Sequence, residues 1–203
     1  MVDPIVLTAF VPAALALNLT PGADMMFCLA QGARGGTRAA WLASAGIATG
    51  GMIHVALAGL GLSALVASVP YAFDVIRWIG VGYLLWLALQ ALRRRPDVDD
   101  GVVTPRGQAF LSGLLVNLTN PKVILFVLAF VPQFVVPSAG PVLVQFIVFG
   151  AVIGVGGFVV NGLVGVFAGS VGRRLAQGSR VLDWLTAGIF TALAGRLALL
   201  EKT

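Results

Sequence analysis

Charge is scarce in this sequence. Its 203 residues carry 13 lysines and arginines and 8 aspartates and glutamates, so 10% are charged, where a soluble domain carries about 25%. So few charges do not cover a water-facing surface, which excludes a free cytosolic enzyme and a disordered segment. Cysteine is nearly absent, and Cys28 alone excludes an internal disulfide, a CxxC redox pair and a cysteine-rich metal site. Histidine is equally scarce, so His54 and Cys28 provide no soft-ligand set for a metal. A net charge of +5 and a pI near 10.4 suit a nucleic-acid binder. The basic residues, however, sit in clusters between long apolar runs, which is a membrane pattern. No nucleic-acid partner is expected.

What is present is apolar: 59% of the residues are hydrophobic, and the mean hydropathy is +0.99. A membrane-spanning helix needs about 20 mostly apolar residues. Six such stretches are predicted, roughly Ile5–Ala30, Ala40–Ala67, Tyr71–Leu92, Gln108–Val131, Val142–Gly169 and Val181–Leu200. They leave little for a separate soluble domain. The start, Met1-Val2-Asp3-Pro4, lacks the positive charge of a secretory signal, so the first span is expected to remain. The polar linker 93–107 divides the chain into 1–92 and 108–203, with three spans in each. Arg34, Arg38, Arg93, Arg94, Arg95, Arg106, Arg173, Arg174 and Arg180 fall on one side of the membrane. Only Arg77, Arg196 and Lys202 fall on the other. The positive-inside rule then puts both termini outside.

The two halves share a signature. Asn18-Leu19-Thr20-Pro21-Gly22-Ala23-Asp24 stands within the first span, and Asn117-Leu118-Thr119-Asn120-Pro121-Lys122 within the fourth. Each opens a half with an odd number of spans, so the second half must be inverted relative to the first. Proline breaks a helix interior but suits the first position of a new one. Thr20 and Asn120, each preceding a proline, are expected to cap such restarts, and Gly22 adds backbone freedom. Breaks at that depth are tolerated only against protein or a watery cavity, and their free N–H groups suit a carboxylate. Two ordinary kinks would leave the adjacent charges unexplained. An ionised side chain at mid-membrane costs about 2.5–3.5 kcal/mol, so Asp24 and Lys122 are expected to line a polar cavity.

Other polar residues have less pointed readings. His54 in the second span either shuttles protons or bonds a neighbouring backbone or hydroxyl group; the structural role is favoured. Asn161 in the fifth span either faces the cavity or joins two helices. Gly46-x-x-x-Gly50, Gly150-x-x-x-Gly154 and Gly165-x-x-x-Gly169 serve either a homo-oligomer or packing within one bundle.

At these residues the chain resembles the lysine exporter (LysE/RhtB) family of amino-acid efflux proteins. The resemblance is carried by Pro21-Gly22-Ala23-Asp24, Gln31-Gly32-Ala33-Arg34-Gly35-Gly36, Gly46, Gly50, His54 and Gly80-Val81-Gly82-Tyr83-Leu84. In the second half it rests on Asn117 to Lys122 and on Phe130-Val131-Pro132-Gln133-Phe134. It implies a six-helix exporter in the bacterial inner membrane, moving amino acids or close derivatives outward at the expense of the proton gradient. It makes Asp24 the key acid, with Asn18, Pro21, Gly22, Asn117, Pro121 and Lys122 shaping the site. Ala23 departs from the family, which often has a second proline there.

The combined expectation is an all-α integral membrane protein of two inverted three-helix repeats, with helices 1 and 4 broken. The substrate's ammonium would meet Asp24 and its carboxylate the half-helix N–H groups and Lys122, while protons compete at Asp24. No cofactor is expected, and no nucleophile–base constellation marks an enzyme. A carrier of another small solute or a metal ion, a passive channel and a structural subunit are the alternatives.

Overall fold

Local chemistry sets the first helix. Asp3 accepts the Ile5 amide at 2.8 Å, and Pro4 takes the first helical position, where a missing N–H costs nothing. The computed structural model describes residues 2–68, 72–93, 108–168 and 180–199. These form α1 (Pro4–Leu19), α2 (Ala23–Ser68), α3 (Ala72–Arg93), α4 (Ala109–Leu118), α5 (Pro121–Ala129), α6 (Val142–Val166) and α7 (Arg180–Leu199). Short 3-10 turns at Val131–Phe134 and Pro137–Ala139 join α5 to α6, and no strand occurs among the described residues. Most of the 93–107 linker, Gly169, Arg173, Arg174 and Lys202 lie outside them, as do the side chains of Arg77 and Arg196.

Helix α2 is two helices in one hydrogen-bonded run. Gly36 sits at φ 73°, ψ −171°, a region only glycine occupies readily, and the chain turns back there. In a straight helix Cys28 and Ala43 would stand about 22 Å apart, yet both belong to one buried cluster with Phe27 and Ile47. The leg 23–35 therefore completes the first predicted span, and the leg 37–68 is the second. Arg34 and Arg38 are exposed on either side of the turn.

Among the described residues, two stretches are long and apolar enough to cross a membrane: Ala23–Leu62, which contains the Gly36 turn, and Val142–Val166. The pair Ala109–Leu118 and Pro121–Phe134, bent by 55°, makes a third if counted as one span. Outward faces are apolar: on α6, Val155 is 65% exposed while Asn161 is 6% exposed. Lipid, not water, matches that inversion. α2 packs chiefly on α6 and α4, and α3 on α7.

Glycines permit the closest approaches. A Cβ on Gly32 would strike the Gly165 carbonyl, one on Gly46 the Phe110 carbonyl, and one on Gly113 the Ala43 carbonyl. Gly150 and Gly154 face Val55 and Met52. These glycines therefore pack helix against helix inside one bundle. Beyond the mid-bundle breaks, on the side of the α1 N-terminus, Phe10, Phe130, Phe134 and Phe149 form a buried aromatic plug. Ring centroids are 4.6 Å apart for Phe10–Phe149 and 4.9 Å for Phe130–Phe134.

Candidate functional site

The first break begins where α1 runs into Pro21. The last carbonyls of any helix lack intrahelical donors, and in a bilayer water does not supply them. Here the Thr20 amide and the Thr20 hydroxyl, at 2.9 and 2.5 Å, both donate to the Ala16 carbonyl. The expectation that Thr20 caps the restart is thus corrected: it closes the helix behind it. The chain resumes helix at Ala23, with the Gly22 carbonyl accepting from the Met26 amide at 3.0 Å. Asp24 lies in that new first turn, where the helix dipole favours an anion.

The second break repeats the pattern. The Thr119 amide and hydroxyl, at 3.1 and 2.9 Å, donate to the Leu115 carbonyl. Asn120 does cap its restart: its side-chain oxygen accepts the Lys122 amide at 3.0 Å, with Pro121 at the first helical position. The Asn117 carbonyl accepts from Asn120 N–H at 2.9 Å and from His54 Nε2 at 3.2 Å. A carbonyl only accepts, so that ring nitrogen carries the proton. His54 makes the backbone bond favoured for it from sequence.

The breaks meet. Asn117 Nδ2 donates to Asp24 Oδ2 at 2.8 Å, a buried bond between the halves of the chain. Lys122 reaches the other way: its ammonium donates to the Thr20 and Leu17 carbonyls at 2.7 and 3.1 Å, closing the end of α1. A Cβ on Gly22 would lie 3.3 Å from that ammonium, so the glycine leaves space for the lysine. Lys122, expected to await a carboxylate, is engaged by backbone, and its charge also attracts Asp24. Asp24, Asn117 and Asn120 are buried, yet Asp24 Oδ1, Asn117 Oδ1 and Asn120 Nδ2 have no hydrogen-bond partner. The Asn120 amide acts on Asp24 without reaching hydrogen-bond geometry. Such orphans are rare in folded proteins, and here all three lie in one place.

Between the breaks is a cavity of about 40 Å³, room for about one to three water molecules. Asn18, Asp24, Asn117, Lys122 and Asn161 line it. So do Ile47, Ala48 and Gly51 of α2, opposite Ile153, Gly154 and Gly157 of α6. These last six occupy matching positions in two copies of Ile-x-x-Gly-Gly, at 47–51 and 153–157. Sequence reading passed over that repeat, although the signal was present. Asn18 Nδ2 donates to the Ile153 carbonyl at 3.1 Å and lies against Gly156 and Gly157. Asn117 lies against Gly50 and Gly51. Each break thus sets its asparagine on the glycine pair of the other half. Ser44, also passed over, donates to the Phe158 carbonyl at 2.7 Å and fastens α2 to α6. Beyond His54 lies a larger cavity of about 490 Å³, lined almost wholly by apolar side chains such as Leu57, Val127 and Phe146.

Comparison with known proteins finds relatives by sequence. The LysE type translocator family matches residues 15–201. The chain is 36% identical over 137 residues to the homoserine/homoserine lactone efflux protein of Salmonella typhi. That match covers 66% of each chain, just under two thirds. It is 30% identical over 200 residues to the leucine efflux protein of Enterobacter sp. (strain 638), covering 95% of this chain and 94% of that one. It is also 38% identical over 133 residues to an uncharacterized membrane protein of Vibrio cholerae, covering 64% of this chain and 65% of that protein. No solved structure matches.

Proposed function

The chain belongs to the LysE type translocator family, a multi-pass membrane transporter rather than an enzyme, and on that premise we propose that it exports amino acids from a bacterial cell across the inner membrane in exchange for protons. The observation that carries this reading is Asp24, a buried carboxylate at a helix break, hydrogen-bonded to Asn117 at the opposite break. A carboxylate in that position binds either a substrate ammonium or a proton, and competition between the two couples their movements. The names of the relatives make leucine and homoserine the first substrates to try.

The architecture proposed for this work is six spans arranged as two inverted three-helix repeats, with both termini outside. Support comes from the matched break sequences, the matched threonine closures on Ala16 and Leu115, and the crossed asparagine–glycine pairs. A cavity with room only for water fits a carrier that must rearrange to admit its cargo better than an open channel.

The test is uptake of labelled leucine, homoserine and a wider amino-acid mixture into inside-out vesicles carrying the purified chain. The reading predicts accumulation above the outside concentration when the vesicle interior is acidic, and equilibration only when the gradient is collapsed. Flux that does not saturate and never exceeds equilibration under an imposed gradient would make the protein a passive channel.

A further inference from the structure

The two halves of the chain match at their breaks and at Ile-x-x-Gly-Gly, so the positions where they differ mark what packing alone does not demand. Aligned on the two prolines, Lys122 stands where the first half has Gly22, and Asp24 where the second has Ile124. Aligned on the two glycine pairs, Asn161 stands where the first half has Val55, four residues past the second glycine. Val55 is buried in the apolar core and packs on Gly150. Asn161, 6% exposed, lines the central cavity instead, its Nδ2 3.9 Å from the place a Cβ on Gly157 would take. Its side chain makes no hydrogen bond among the described residues. A buried amide without a partner is costly in an apolar bundle and points to a ligand. Nearby donors are open as well. The Ala23, Asp24 and Met25 amides start the leg 23–35 with no acceptor among the described residues, the bonding beginning at Met26. Asp24 and Met25 line the same cavity, and Met25 shares a buried cluster with Val164, about one turn past Asn161.

We propose that Asn161 is a specificity-determining residue, whose side-chain N–H, with the amides that start the leg 23–35, takes a carboxylate oxygen of the cargo. The inference rests on the amino-acid reading above and adds to Asp24 a second point of recognition on the facing helix. An asparagine offers both a donor and an acceptor, and its surroundings decide which is used. Free main-chain amides at a helix start favour an oxygen ligand, and Asp24 already supplies the acceptor for an ammonium. Lys122 is held by the Thr20 and Leu17 carbonyls. Neutral donors on α6 and on the first break are therefore what this cavity offers a carboxylate.

Counterflow in proteoliposomes tests this, with labelled leucine and homoserine as probes. The competitors are 3-methylbutylamine and 3-aminopropan-1-ol, the same molecules with a hydrogen in place of the carboxyl group. In the unaltered chain each amine should compete about tenfold to a hundredfold more weakly than its parent, the range of a hydrogen bond to an ionised group. Asn161→Leu should raise the half-saturating concentration of the parent by at least about tenfold and leave the inhibition constant of the amine within about twofold. Asn161→Ser keeps a shorter donor and should fall between the two, and it carries the test if Asn161→Leu does not fold. Equal weakening of parent and amine, or no change in either, makes Asn161 a packing residue, and the proposal falls while the amino-acid reading stands. Absence of exchange with either labelled amino acid overturns that reading, and this proposal with it.

Discussion

Gly50 and Gly51 differ by one position on α2, and the site responds to them differently. A Cβ on Gly50 would lie 2.8 Å from Asn117 Oδ1 and 3.0 Å from Asn117 Cβ, whereas one on Gly51 would lie 3.9 Å from Asn117 Oδ1. Gly50→Ala must therefore move Asn117 off Asp24. It is expected to lose about 1–3 kcal/mol of stability, the usual cost of overpacking, and most transport. Gly51→Ala should stay within about 0.5 kcal/mol and keep its activity. Thermal unfolding in detergent beside counterflow checks both. Equal loss in the two variants would mean that the asparagine is not what the glycine accommodates. The same contact explains why Asn117 was readable as a site residue but its role was not. The residue types of a break are visible in sequence, whereas the helix facing them is set by the packing of distant segments.

The helix breaks and the Gly36 turn show where local chemistry suffices. Asn120-Pro121 reads as a restart from sequence alone, because the cap and the proline need only their own backbone, and the structure has that cap. Thr20-Pro21 has the same appearance, yet Thr20 bonds backward to Ala16. A threonine can cap ahead or bond the previous turn, and the sequence around it does not decide which. The turn at Gly36 was expected only as a gap between spans, since a second glycine precedes it and either could reverse the chain. Its φ of 73° makes an outcome definite: Gly36→Ala should destabilise the protein by about 1–3 kcal/mol. Thermal unfolding in detergent measures this. A neutral result there would place the reversal elsewhere in the 34–38 segment.

The molecule as a whole has an apolar exterior and polar groups gathered at mid-bundle, the inverse of a soluble fold. Composition alone announced that inversion. The family match and the helices Ala23–Leu62 and Val142–Val166 agree with it. What composition could not supply was the joining of the halves, in which Asp24 and Lys122 each find partners on the other break. Pairing across about a hundred residues depends on how the repeats dock, so the bonds of Lys122 to the Thr20 and Leu17 carbonyls were not legible in the sequence. The small volume of the cavity also implies movement: an amino acid fits between the breaks only when the helices around them separate.

Whether Asp24 couples that movement to protons is decided by comparing Asp24→Asn with the unaltered chain in the same proteoliposomes, reading counterflow exchange and gradient-driven accumulation side by side. The substitution keeps the shape and removes the titrating group. The variant should still exchange substrate, at higher concentrations, and should not accumulate it when a proton gradient is imposed. Full gradient-driven accumulation by Asp24→Asn would contradict the account, because the proton would then be carried by a group other than this carboxylate.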